Sequence, residues 1–152
     1  MAEKLLEIRD LNVTYNTDDG VVYAVNGLDL TVNKGQVLGL VGETGAGKTT
    51  MALSILRLLP DRVGKITKGD IVLDGMDIIR CTEADMKLIR GNKVSMIFQD
   101  PMTSLNPILT VGDQIAEVLE LHNKGMSKED IQSRVDEMLR LVGISPERKN
   151  DY

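Results

Sequence analysis

Nine consecutive residues, Gly42-Glu43-Thr44-Gly45-Ala46-Gly47-Lys48-Thr49-Thr50, bring together glycines, a lysine and a closing pair of hydroxyls. That set suits one chemistry, the holding of phosphate. Glycines let backbone N–H groups turn toward phosphate oxygens at backbone angles a side chain would block. The Lys48 ammonium is a point charge for β and γ phosphates, and the Thr49 hydroxyl is a ligand for Mg²⁺. Gly42, Gly47, Lys48 and Thr49 fit the spacing G-x-x-x-x-G-K-[ST], in which a glycine-rich loop cradles a nucleotide's phosphates. A helix beginning at Lys48 aims the positive end of its dipole at the same anion.

Such a loop works only between a strand and a helix. Gln36-Val37-Leu38-Gly39-Leu40-Val41 reads as a short, continuously apolar strand of the kind buried in a parallel sheet. Residues 48–59 carry Met51, Leu53, Ile55, Leu56, Leu58 and Leu59, a helical segment that Pro60 must end.

Around this centre, residues 3–14 alternate polar and apolar, a half-exposed strand. Thr17-Asp18-Asp19-Gly20 reads as a hairpin turn, and 21–32 return as a second strand interrupted near Asn26-Gly27. Gly69–Gly75 forms another strand ended by an Asp-Gly turn, and Lys93–Phe98 a strand running into Gln99-Asp100-Pro101. Three helices open on hydroxyl-x-x-carboxylate capping patterns at Thr82/Asp85, Thr110/Asp113 and Ser127/Asp130. Residues 111–122 and 128–142 each place apolar side chains on one face, the latter stopping at Gly143. An antiparallel β portion therefore wraps the start of a parallel one.

The chain of 152 residues is one domain or part of one, and 42% apolar content supplies a real core. A net charge of −5 argues against a nucleic-acid face, though not against ATP, which needs only a local cradle and one lysine. The single cysteine, Cys81, cannot close an internal disulfide and fits a reducing compartment. Met1-Ala2-Glu3-Lys4 leads straight into a charged, alternating segment and is not expected to act as a signal peptide, and no apolar run approaches the ~18 residues of a membrane span. Membrane association is thus expected to be peripheral. His122, the lone histidine, stands near a helix end and reads as a surface residue.

Two further residues narrow the reading. Tyr15 closes the first strand, and Gln99 follows the strand after Lys93. With the antiparallel insertion Gly69–Gly75, this combination resembles the nucleotide-binding subunit of ATP-binding cassette (ABC) transporters. The phrase Ile97-Phe98-Gln99-Asp100-Pro101-Met102-Thr103-Ser104-Leu105-Asn106-Pro107 is similar to that of the oligopeptide, dipeptide and nickel importers among them. The resemblance implies an α/β fold: a P-loop NTPase core with an antiparallel β subdomain and the start of a helical subdomain, truncated before Walker B. On that reading 1–35 and 65–80 form the β portion, 36–60 and 81–100 the core, and 101–152 the start of the helical part. It implies ATP and Mg²⁺ as ligands, with Tyr15 stacking on adenine, residues 42–50 on the phosphates, and Thr49 and Gln99 on the metal. It also implies a second ATPase subunit and membrane permease subunits as partners, the latter meeting the region Gln99–Pro107 at the cytoplasmic face of the membrane. Tyr15 offers a flat face worth roughly 1–3 kcal/mol in comparable base stacking, and Gln99 a neutral oxygen suited to a hard cation.

The family's signature motif, Walker B aspartate, catalytic glutamate and switch histidine are not in these residues; 100–152 hold only helical patterns. Without a base to polarise water, a loss typically of 10²–10⁴-fold or more, these residues alone are expected to bind ATP with little or no hydrolysis. Two other readings stand beside this one. A self-contained kinase or GTPase should show a lid of clustered arginines or Asn-Lys-x-Asp, and Asn92-Lys93-Val94-Ser95 lacks the aspartate. A non-enzymatic nucleotide-binding module would be completed by another chain.

Overall fold

The computed structural model describes residues 3–99 and 104–152, which fall into two compact units divided between Val94 and Ser95. In the first unit, β1 (Lys4–Thr17) and β2 (Gly20–Asn33) form a long antiparallel hairpin closed at Asp18-Asp19. β3 (Gly64–Leu73) pairs antiparallel with the other edge of β1, and the two-residue β4 (Met76–Asp77) folds back on β3, giving the order β2-β1-β3-β4. The β3–β4 turn puts both Asp74 (φ 48) and Gly75 (φ 78) at positive φ, the twist that a two-residue Asp-Gly hairpin requires. Alternation along β1 slips by one residue at the irregularity around Asp10 (φ 46), so Ile8 before it and Leu11 and Val13 after it all point inward and join Val25, Ile71, Leu73 and Ile78 in a closed core. β2 runs through Asn26-Gly27 without a break; register shifts in the β1–β2 ladder absorb the irregularity.

Two helices belong to this unit. α1 (Lys48–Leu56) follows the glycine-rich loop, and α2 (Glu83–Ile89) lays Met86 and Ile89 into the core. Thr82 makes a full capping box with Asp85, as its spacing predicts. α1 stops at Leu56, four residues before Pro60. Arg57 takes the left-handed conformation (φ 51), and the bonds Arg57 N–H to Ser54 and Leu58 N–H to Leu53 close a Schellman-type end.

The second unit packs α3 (Val111–His122) against α4 (Lys128–Leu141) through Ala116, Ile131, Val135 and Leu139, followed by a 3-10 turn at Pro146–Asn150. Thr110 and Ser127 accept from the N3 amides of Asp113 and Asp130, and their hydroxyls donate to the same residues' carboxylates. Among the described residues no helix is long and apolar enough to cross a membrane.

Two expected strands are corrected. Gln36–Val41 is exposed throughout and joins no ladder, with Val37 97% and Val41 92% exposed. Lys93–Phe98 contributes only one isolated parallel bridge, Arg90 to Val94. The reason is pairing. A strand inside a parallel sheet needs neighbours on both edges to take up its N–H and C=O groups, and none of the described strands pairs with either segment.

Candidate phosphate-binding site

The loop Gly42–Gly47 enters α1 with no side chain capping the helix, so the first-turn N–H groups face outward for an external acceptor. Gly45 (φ 86) and Gly47 (φ 80) both adopt positive φ. Gly47 is the tighter constraint. A Cβ there would stand 2.3 Å from the Ala24 carbonyl oxygen on β2, so the loop passes β2 at a distance only glycine permits. Within the loop the Ala46 N–H donates to the Glu43 carbonyl, making a turn. Lys48 folds back over that turn, its Nζ donating to the carbonyls of Gly42 and Glu43, each at 2.6 Å. The ammonium is thus fixed across the mouth of the loop, beside the uncapped amides, where two positive features converge on one small volume.

Thr49 is exposed at the first turn and its hydroxyl engages no other group among the described residues. Thr50 receives a 3.2 Å hydrogen bond from the Tyr15 hydroxyl, while the Thr50 carbonyl accepts from Ser54 Oγ at 2.7 Å. Tyr15 is half-buried. Its ring edge lies over Gly64, where a Cβ would meet Tyr15 Cε1 at 2.9 Å and Leu59 Cβ at 3.0 Å. Gly64 therefore gives the ring its place, a role no pattern in the sequence marks. Beside the loop, a cleft of about 390 Å³ is bounded by β2 from Ala24 to Asp29, Leu40-Val41, the loop end and Met51. That volume falls in the range of small-ligand pockets.

The structure thus brings together Gly42, Glu43, Thr44, Gly45, Ala46, Gly47, Lys48, Thr49, Thr50 and, through its hydroxyl, Tyr15. Gln99 belongs to the second unit, exposed in a bend. Of the expected permease-facing region, Asp100, Pro101, Met102 and Thr103 lie outside the described residues. As to Mg²⁺, no group of three or more His, Cys, Asp or Glu side chains among the described residues could hold a metal ion. The free Thr49 hydroxyl fits a different arrangement, in which the ion keeps waters and is carried largely by its ligand's phosphates.

The likenesses to curated relatives are long in this chain and partial in the relatives. The probable peptide ABC transporter ATP-binding protein y4tR of Sinorhizobium fredii is 44% identical over 99% of this chain and 45% of its own length. The oligopeptide transport ATP-binding protein OppD of Bacillus subtilis is 44% identical over 96% of this chain and 41% of its own. The chain therefore spans less than half the length of these relatives. The fold matches a solved dimeric structure of the ATP-binding cassette MJ0796 bound to ADP and Pi, with TM-score 0.83 and 24% identity, over 96% of this chain and 60% of that one. The sequence profile described as ABC transporter matches residues 25–152, from β2 through the phosphate loop and both units, and the chain belongs to that family.

Proposed function

We propose that residues 42–50 bind the phosphates of ATP with Mg²⁺, as the nucleotide-holding portion of an ATPase subunit that powers peptide or nickel import. One observation carries the reading: a glycine loop at positive φ opens an uncapped helix, with the Lys48 ammonium held across its mouth. Lys48 binds and orients β and γ phosphate oxygens, exchanging its two carbonyl partners for stronger charged ones. Thr49 would offer the metal a hydroxyl oxygen, and the resemblance assigns Gln99 the same role. Bound Mg²⁺ contributes charge neutralisation on the phosphates. Tyr15 presents its ring to adenine, anchored by its hydroxyl on Thr50. The names of relatives that transport peptides, and of a cassette bound to ADP and Pi, support the cargo and the nucleotide.

The proposal extends to partners and organisation: a second ATPase subunit, permease subunits meeting the Gln99–Pro107 region at the cytoplasmic membrane face, and the division into β portion, core and helical part given above. It extends also to rate, since these 152 residues alone bind ATP with little hydrolysis. Binding of a fluorescent ATP analogue, competed with ATP and with GTP, tests the reading. ATP should displace the probe, and Lys48→Ala should weaken binding about 10- to 100-fold, the worth of a charge-assisted hydrogen bond. Equal binding by Lys48→Ala, or preference for GTP, contradicts it, as does Lys48-dependent turnover near 1 s⁻¹.

A further inference from the structure

The far end of α1 is held by a guanidinium. Arg90, just after α2, donates from Nε to the Leu56 carbonyl at 2.7 Å and from Nη2 to the Arg57 carbonyl at 3.1 Å. Its remaining nitrogen, Nη1, is braced by Glu83 at 2.6 Å. The side chain is only 23% exposed, against 59% for Glu83, so the fork sits inside the unit and its brace on the surface. The contact is reciprocal: the Arg57 guanidinium, from the end of α1, donates to the carbonyl of Cys81 just before α2. Two arginines therefore lace the C-terminus of α1 to the two ends of α2.

This lacing answers a specific need. The last carbonyls of a helix have no partners within it and carry the negative end of its dipole. Arg57 closes α1 in the left-handed region, φ 51, where glycine is the usual occupant and other residues are strained. A cation bonded to both terminal carbonyls offsets that strain and fixes the axis of the helix. The same nine-residue helix, about 13 Å long, presents the phosphate loop at its other end.

We infer that Arg90 is a positioning residue for the phosphate loop, acting through α1, so that its loss moves the loop amides and weakens phosphate binding from the opposite end of the helix. The inference rests on the reading of residues 42–50 as a phosphate site. Nothing in the spacing of the sequence marks Arg90, which stands beside Gly91 like an ordinary helix-end cation.

The test uses the full chain as wild type, Arg90→Gln and Arg90→Lys, with two readouts. The first is Mg–ATP affinity; the second is the amide chemical shift of Gly47 in nucleotide-free protein. Arg90→Gln should weaken ATP about two- to fivefold, the usual worth of a cation at a helix C-terminus, and displace the Gly47 amide. Arg90→Lys keeps the charge but loses the fork, and should recover much of both. Folded Arg90→Gln with wild-type affinity and an unmoved Gly47 amide overturns the inference. So do Gln and Lys variants equally weak with Gly47 unmoved, since that is lost packing alone. If Arg90→Gln does not fold, Glu83→Gln frees one end of the fork and should shift the Gly47 amide in the same direction by less; no shift overturns the role. A wild type that binds no ATP, with Gly47 still moved by Arg90→Gln, overturns the phosphate reading and leaves the positioning role standing.

Discussion

β1 and the segment Gln36–Val41 are both rich in aliphatic side chains, yet they end in opposite states. β1 is paired along both edges, and its inward residues Ile8, Leu11 and Val13 are sealed from solvent. Gln36–Val41 has no strand on either edge, and Val37 and Val41 stand almost fully in water. Hydrophobicity is common to the two; ladder partners are not. A strand exists where its N–H and C=O groups find a neighbour, and apolar content decides only which face it then buries. The site follows the same division. Its helix side is fixed on the antiparallel sheet, through Gly47 against Ala24 and the Tyr15 hydroxyl on Thr50. Its strand side is unsupported.

Cutting into the closed region should cost most. Ile71, fully buried opposite Ile8, is expected to lose about 2–5 kcal/mol as Ile71→Ala, read by urea unfolding. A loss below 1 kcal/mol would mean that the sheet core is not what holds the unit together.

The rim of the same sheet offers a smaller, pH-dependent effect. Arg9 and then Lys4, both hydrogen-bonded to Glu7, hold its carboxyl down to about 2 from a usual 4.5. Because the folded value is the lower one, this pairing stabilises fully above pH 4.5 and fades as pH falls toward 2. Glu7→Gln should therefore be less stable than wild type near neutrality, with the gap closing across that window and shrinking in salt. A gap independent of pH would assign Glu7 a packing role instead.

The open segment should be the most tolerant. Val37→Lys combined with Val41→Lys is expected to change stability by no more than about 0.5 kcal/mol, as exposed substitutions do, and to reduce self-association through the exposed apolar edge. A loss comparable to Ile71→Ala would show that the segment is packed after all.

The antiparallel half was legible in the sequence because each signal was local. Alternation marked β1, and the turns around Asp18-Asp19 and Asp74-Gly75 carried their own φ requirements. Thr82, Thr110 and Ser127 announced three helices by spacing alone. Other features depend on residues distant in sequence. The end of α1 is set by Arg57 and Arg90 rather than by Pro60. β4 is a two-residue return too short to show a period, and the turn Pro146–Asn150 is too short as well. The apolar runs at 36–41 and 93–98 read as strands because composition cannot report whether a partner is present. At the site, the loop residues declared themselves by type and order, whereas Gly64 and Arg90 act through neighbours that only the fold supplies.

The central claim is that phosphate is held at the start of α1 by loop amides and Lys48. Following backbone amide shifts while titrating Mg–ATP, with adenosine as the control, addresses it most directly. Saturable shifts concentrated at Gly45, Gly47, Lys48 and Thr49 with ATP, absent with adenosine and abolished in Lys48→Ala, are the predicted result. Shifts that avoid these residues, or that adenosine reproduces, would contradict it.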